Sequence, residues 1–430
     1  MYLVELKFRK KTKSEWAVLF ILFMPFLFPL LTESLRIPDM ITYSVDIVWV
    51  GLLISMLNRK RHYITLPIKK LLIICGIFFA FTLVGFLLNF QSVFYYLWGL
   101  RNNARFFVYF FACVLFVKHE SVEHYLNFFD KVFWINSSVM LFQFFVMDIK
   151  QDYLGGVFGT SKGCNGYTNI LFIIVTTKSI LYCLNNKEQL WRCLLKCAVA
   201  VVLAAFAELK AFYIEFVVIV AMAMCFTKSS YKKVWISIGS VVGIVVGVQL
   251  VALLFPIFAE WFSFERIWDT LTNSRGYTSK NDMNRLTVVS IAMERFLPAI
   301  HDKLFGLGLG NCDYAGFDFL ITPFYRAFNG LNYTWFSSAM LILETGIVGM
   351  GLYICFFVYL FLSSWKMRHS SHKNAIHCQL SMICAVMCGF LFILNASLRV
   401  ESGFMMFFVL SLPFIMKENG DKSDVDDLHS

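Results

Sequence analysis

Long apolar runs recur along almost the whole chain, and they limit the possible fold more than any other feature. Runs of about 17–25 apolar residues have the length that an α-helix needs to cross a hydrocarbon core of roughly 30 Å. The composition agrees, because 59% of the 430 residues are hydrophobic and only 15% are charged. The sequence therefore predicts an all-α fold, a polytopic integral membrane protein with about 12 transmembrane helices. The predicted spans are 16–34, 41–57, 71–89, 104–117, 131–147, 167–184, 194–208, 211–227, 234–255, 335–362, 377–395 and 402–416.

The basic residues predict the orientation of these spans. Twelve spans place both termini on one side, and every short connection on that side is basic, beginning with KFRKKTK at residues 7–13. Because Lys and Arg accumulate on the cytoplasmic side of membrane proteins, we expect both termini to be cytoplasmic. The net charge of +10 then reflects orientation and does not indicate binding to nucleic acid. No pair of Cys shows metal-ligand spacing, and we expect neither a metal nor another cofactor.

One long polar connection interrupts the apolar pattern late in the chain. The chain therefore divides into four predicted regions. They are nine helices in 1–255, an extracytoplasmic loop with short helices in 256–334, three helices in 335–416, and a disordered cytoplasmic tail in 417–430. Within the loop, we expect one amphipathic helix from about Asn284, and then a flexible turn, FGLGLGN, at residues 305–311. A glycine-rich turn of this kind allows a ligand to approach the backbone closely.

Several charged residues lie where the spans meet the outer side. Arg101 and Arg105 are one helical turn apart at the predicted outer mouth of the fourth span. They either reach towards lipid headgroups or bind a phosphate through their planar guanidinium groups. Arg399 and Glu401 are expected to form an exposed pair near the last span.

A second group of charges separates the seventh and eighth spans. Glu208 and Lys210 suit a polar hairpin, whereas Glu215 falls about one turn inside the next span. An ionisable group inside a membrane usually faces a cavity or a partner. Glu344 lies within the tenth span, so it is either buried against a partner or faces a cavity, and we favour the cavity.

Other polar residues are candidates for binding or proton transfer. In the glycine-rich loop GGVFGTSKGCNGYTNI at 155–170, Lys162 and Asn165 can contact phosphate or sugar, although the loop equally suits a tight turn before a helix. Glu294 and His301 are seven residues apart on the expected amphipathic helix, and each is a candidate general base. The alternative is that they are ordinary solvated side chains.

The arrangement of these features resembles the bacterial O-antigen polymerase and O-antigen ligase family, which includes capsular and exopolysaccharide repeat-unit polymerases. The resemblance is carried by the long late loop, by Arg285 followed by a helix and FGLGLGN, and by LETGIVGMGL at 343–352. Ligase-type members often carry a His-Asn pair where this chain has Trp335 and Phe336. We therefore favour a polymerase over a ligase, and a lipid-linked glycan flippase or transporter is a further alternative.

The resemblance implies transfer of a glycan from a polyprenyl diphosphate, such as undecaprenyl diphosphate, at the outer face of the bacterial plasma (inner) membrane. It implies a bilayer-embedded enzyme that acts without metal or cofactor, and a chain-length regulator protein as a possible partner. The base is left open among Glu344, His301, Glu294 and Asp282. The implied diphosphate contacts are Arg101, Arg105, Lys210, Arg275 and Arg285, and the implied glycan contacts are Asn165 and Asn311.

Overall fold

The computed structural model describes residues 12–58, 65–228, 230–254, 283–370 and 375–426. These residues are predominantly helical and contain no strand. The helices are α1 (Lys13–Pro29), α2 (Ser44–Leu57), α3 (Leu66–Leu88), α4 (Val93–Phe116), α5 (His119–Phe145), α6 (Asn165–Leu184), α7 (Leu190–Phe206), α8 (Lys210–Phe226), α9 (Tyr231–Leu254), α10 (Val288–Arg295), α11 (Ile300–Phe305), α12 (Pro323–Phe328), α13 (Ser337–Ser370), α14 (Ala375–Leu394) and α15 (Gly403–Asp426).

Seven helical segments in the described residues are long and apolar enough to cross a membrane, which indicates a membrane protein. The predicted total of twelve spans is not established by this finding. Of the other long helices, α7 and α8 have 17 residues each, and the apolar part of α15 is confined to Gly403–Ile415. The seven segments are Lys13–Glu33, Met40–Leu57, Leu66–Leu88, Asn165–Leu184, Tyr231–Leu250, Ser337–Arg368 and Ala375–Leu394.

Residues 283–336 lie at one end of the bundle, hereafter the loop end. At the end of α3, Asn89 donates its side-chain amide to the Gly306 carbonyl oxygen at 3.1 Å. Near the start of α4, Trp98 Nε1 donates to the Tyr314 carbonyl oxygen at 2.9 Å. The connection from 283 to 336 is therefore tied to the helix ends beneath it.

The core between α4, α13 and α15 is built largely from phenylalanine. Phe107 packs edge to face on Phe356 with ring centroids 4.9 Å apart, and Phe110 packs on the same ring at 5.4 Å. Phe407 from α15 completes the group, 5.9 Å from Phe107. Edge-to-face packing suits the quadrupole of each ring, so the aromatic content fixes how these three helices meet.

Helix α13 is interrupted at Gly346, where the backbone leaves helical geometry with φ 63° and ψ −170°. The segment at 305–311 packs into this interruption. Leu307 N donates to the Leu343 carbonyl oxygen at 2.7 Å, and Gly308 N donates to the Glu344 carbonyl oxygen at 3.1 Å. These bonds satisfy carbonyl groups next to the interruption, so the glycine motif is a packed element of the fold and the expectation of a flexible turn is wrong.

Three further expectations about helix boundaries need correction. Helix α4 begins at Val93 and not near 104, so the polar segment around Arg101 lies within a helix of 24 residues. The single amphipathic helix is two short helices, α10 and α11, because Pro298 lacks a backbone N–H and disfavours a helical residue before it. Helix α15 continues to Asp426, past the start of the tail that the sequence predicts to be disordered.

Candidate functional site

Arg399 lies at the loop end, in the connection between α14 and α15. Its side chain is only 10% exposed, and Nη2 donates to Asp313 Oδ2 at 2.9 Å. The same nitrogen lies 3.4 Å from Glu344 Oε2, and the Glu344 side chain is fully buried. One guanidinium group therefore joins the connection at 399 to the loop at 313 and to α13 just before its interruption.

A hydrogen-bonded series continues from Asp313 into α4 and α2. Asn102 Nδ2 donates to Asp313 Oδ2 at 2.7 Å, and Arg101 Nη1 donates to Asn102 Oδ1 at 2.7 Å. Arg101 then binds Asp46 through Nε at 3.0 Å and Nη2 at 2.8 Å. We call the whole series the arginine network; its members are Asp46, Arg101, Asn102, Asp313, Arg399 and Glu344.

Arg105 binds the backbone carbonyl group of Arg399, a member of this network. It is buried, its Nη1 pairs with Glu401 Oε1 at 3.0 Å, and its Nη2 donates to the Arg399 carbonyl oxygen at 2.8 Å. Tyr167 from α6 donates its hydroxyl to Glu401 Oε2 at 3.0 Å. Arg399 and Glu401 were expected to form an exposed pair; this is wrong, because each is paired with another part of the chain.

The electrostatics of the connection between α14 and α15 follow from these pairs. Burial alone would raise the pKa of Glu401, but the charge of Arg105 and hydrogen bonds to the carboxylate lower the pKa overall. Burial alone would lower the pKa of Arg399, but Asp313 and Glu344 raise it overall. Both groups are therefore held in their charged forms.

Two atoms at the centre of the network make no hydrogen bond of 3.5 Å or less to a described residue, although the backbone N–H of Cys312 interacts with the Glu344 carboxylate. They are Arg399 Nη1 and Glu344 Oε1, and both are buried. A buried polar atom without a partner costs about 1–3 kcal/mol, so proteins usually avoid one. These two atoms are a donor and an acceptor on groups whose other atoms, Arg399 Nη2 and Glu344 Oε2, lie 3.4 Å apart. A ligand that accepts at one atom and donates at another can use both.

The charged group between α7 and α8 lies where the sequence predicts it. Lys210 Nζ pairs with Glu208 Oε1 at 3.0 Å, and Glu208 occupies the turn with φ 55°. Burial raises the pKa of Glu208, and the positive charges of Lys210 and Arg285 partly oppose the rise. Glu215 is fully buried and accepts a hydrogen bond from Asn169 Nδ2 at 2.9 Å, as expected for an ionisable group that faces a partner.

The two residues predicted to contact a glycan both donate hydrogen bonds to other groups of the protein. Asn165 Nδ2 donates to Asp152 Oδ1 at 3.0 Å and to the Ala207 carbonyl oxygen at 3.1 Å. Asn311 Nδ2 donates to the Leu307 carbonyl oxygen at 3.0 Å. Contact of either residue with a glycan stays a prediction.

The remaining predicted residues lie apart from the arginine network or outside the described residues. Glu294 and His301 are exposed, and their side-chain contacts are with Ser290 and Asp302 on their own short helices. In the described part of the chain, no hydrogen bond or ion pair joins either residue to the network. Arg275 and Asp282 are outside the described residues.

Arg101, Arg105, Glu344 and Arg399 were all named from the sequence, but Asn102 and Asp313, which connect them, were not. Asn102 carried a local signal, because RNNAR is a polar segment in an otherwise apolar run. Asp313 carried no such signal, and its contact with Arg399 was not foreseen because 86 residues separate the two in the chain.

Comparison with models of known protein families gave no match. No curated protein matched the chain either.

Proposed function

We propose that this protein polymerises oligosaccharide repeat units that are linked to a polyprenyl diphosphate. The reaction takes place at the outer face of a bacterial plasma membrane, and the product is a surface polysaccharide such as O-antigen, capsule or exopolysaccharide. The observation that carries the proposal is the pair of unpartnered buried atoms, Arg399 Nη1 and Glu344 Oε1. A diphosphate oxygen fits the donor, and a sugar hydroxyl fits the acceptor.

The chemistry follows from the roles that these groups can take. Glu344 removes the proton from the acceptor hydroxyl, and the oxygen of that hydroxyl attacks the anomeric carbon of the donor sugar. The bond between that carbon and the diphosphate oxygen breaks, and the diphosphate leaves with the bonding electrons. Arg399 stabilises the charge that develops on the leaving group, because a donor fixed in a buried site is more effective than one in water.

The other arginines have a supporting role in this scheme. Asp46 orients the guanidinium of Arg101, and Arg105 fixes the backbone at Arg399. Arg101 and Arg105 are proposed as further diphosphate contacts, reached when a ligand anion competes with their carboxylate partners. Among the candidate bases, Glu344 is preferred to Glu294 and His301, because its burial beside a cation gives an environment that can tune proton transfer.

A second region for the lipid-linked substrate is proposed at the turn between α7 and α8, next to the residues that follow position 283. Lys210 and Arg285 supply positive charge there, and Arg275 is proposed to join them. Asn165 and Asn311 are proposed as glycan contacts. A chain-length regulator protein would act on the polymer that leaves this end of the bundle.

Deletion of the gene in its host, with mass spectrometry of the lipid-linked glycans, tests the proposal. We expect single repeat units to accumulate on the outer leaflet and long polymer to be lost. Arg399→Ala and Glu344→Gln should fail to restore polymer, whereas Arg295→Ala should restore it, since Arg295 is exposed on α10. Long polymer of normal length in the deletion strain would refute the proposal.

A lipid-linked glycan flippase is the second candidate, and the interruption of α13 favours it. Transporters often build binding sites from discontinuous helices, and Gly346 breaks α13 two residues after Glu344. In the same deletion strain, a flippase predicts single units trapped on the inner leaflet. A ligase predicts polymer of normal length that remains on its lipid carrier.

A further inference from the structure

The connection between α5 and α6 contains a loop that surrounds a carboxylate of the same chain. This loop has the sequence GTSKG at residues 159–163, and we call it the GTSKG loop. Thr160 donates its backbone N–H to Glu33 Oε2 at 2.6 Å and its hydroxyl to the same oxygen at 3.1 Å. Ser161 N donates to Glu33 Oε1 at 3.2 Å. Three donors therefore converge on one anionic group.

A side chain of α5 fixes the backbone just before the GTSKG loop. Gln143 in α5 donates to the Gly156 carbonyl oxygen at 3.0 Å and accepts from Gly156 N at 2.7 Å. Gly159 has φ 93°, and a Cβ there would lie 2.5 Å from Glu33 Oε1. Only glycine fits where the anion approaches the backbone, so the loop is shaped around a bound anion.

Glu33 is held much less firmly on its own side. Its side chain is exposed, and it lies in a five-residue π-helical turn, Leu30–Ser34, that follows α1. Short π-helical turns are rare and frequently mark functional sites. The carboxylate can leave the loop without breaking any helical turn of α1.

A positive charge and an aromatic ring stand beside the same loop. Lys162 is exposed, and its Nζ lies 4.8 Å from the ring centre of Trp335. No carboxylate in the described part of the chain forms an ion pair with Lys162. Trp335 is 40% exposed and lies two residues before α13, the helix that carries Glu344. The GTSKG loop therefore adjoins the helix that bears the proposed base.

We infer that the GTSKG loop is a binding site for the phosphate group of a phosphate or diphosphate ester, and that Glu33 occupies it as an internal competitor. Successive backbone N–H groups form an anion-binding concavity, and the Thr160 hydroxyl adds a third donor. Lys162 makes no ion pair with Glu33, but its ammonium can turn from Trp335 towards a bound phosphate. The exposed face of Trp335 suits the organic part of the ester. The inference rests on the proposed function only for the identity of that ester, the lipid-linked diphosphate.

Binding of inorganic diphosphate and of farnesyl diphosphate to the purified full-length protein in detergent tests this site. Glu33→Gln keeps the shape of the side chain and removes its charge, so we expect both probes to bind about tenfold more tightly. Lys162→Met in the same background should remove most of that gain. Asp148→Asn is the control, because it removes an exposed carboxylate near the end of α5 and should leave binding unchanged.

Unchanged or weaker binding by Glu33→Gln would overturn the inference and make the contact a structural tie between α1 and the loop. If Glu33→Gln gives no folded protein, Glu33→Asp withdraws the carboxylate by one methylene and should tighten binding in the same direction. A gain for farnesyl diphosphate alone would assign the aromatic face, rather than the loop, as the source of affinity and would also overturn the inference. Because binding is measured without turnover, failure of the proposed function leaves this result intact.

Discussion

Replacing Arg399 with glutamine should destabilise the protein strongly. The substitution leaves Asp313 and Glu344 close together without their shared cation, and the Glu344 side chain is fully buried. Removing one partner of a buried ion pair typically costs about 3–5 kcal/mol, because the other charge stays desolvated. We therefore expect the apparent melting temperature of the purified protein in detergent to fall by at least about 5 °C.

Matched variants in the same thermal assay separate the loss of this ion pair from the loss of an arginine in general. Arg295→Gln removes an exposed arginine and should leave the melting temperature unchanged. Neutralising the two partners as well, with Asp313→Asn and Glu344→Gln added to Arg399→Gln, should recover most of the loss. An unchanged melting temperature for Arg399→Gln, or no recovery in the triple variant, would refute the argument that the pairing of these charges stabilises the fold.

Three further variants probe the backbone, the acid response and the geometry of the network. Gly306→Ala should lower the free energy of unfolding by more than about 2 kcal/mol, because φ at Gly306 is 73° and a Cβ there would lie 2.5 Å from the backbone of α13. Gly330→Ala is the control: a Cβ at Gly330 meets open space, so the melting temperature should not change. The pKa of Glu401 is lowered in the fold, so its pairing with Arg105 stabilises the protein at a pH above the ordinary carboxyl pKa of 4.5. This stabilisation is lost as the pH falls through the lower folded pKa. The melting temperature of Glu401→Gln should therefore fall less steeply in acid than that of the intact protein, and an identical acid response would contradict this. Arg101→Lys should reduce polymer length in the complemented host, because lysine cannot form the paired contacts of a guanidinium, and normal polymer would argue against a geometric role.

The helical architecture followed from the sequence because burial in a membrane needs long apolar runs, and these are visible directly. Boundaries failed where polar residues lie inside a helix. The segment around Arg101 reads as a connection, yet α4 starts at Val93, since the half-buried carboxylate of Asp46 pairs with Arg101. The break at Pro298 was a local signal that the amphipathic pattern hid.

The candidate site followed from the sequence only in part. Glu344 was found because an ionisable residue in an apolar run is conspicuous. Its contact with Arg399 depends on how a connection folds back over the end of α13, and no periodicity encodes that geometry. The role of FGLGLGN was misjudged for the same reason: glycines that permit a flexible turn equally permit close backbone packing, and Gly306 packs against α13.

Reconstitution of the purified protein into liposomes with a lipid-linked repeat unit tests polymerisation itself. We expect the intact protein to convert single units into longer lipid-linked glycans, detected by mass spectrometry, with no added metal or nucleotide. Glu344→Gln, which keeps the shape of the side chain but cannot accept the hydroxyl proton, should form none while still inserting into the liposomes. Polymer formation by Glu344→Gln at the rate of the intact protein would refute the role of Glu344 as the base, and no polymer formation by the intact protein would refute the polymerase proposal.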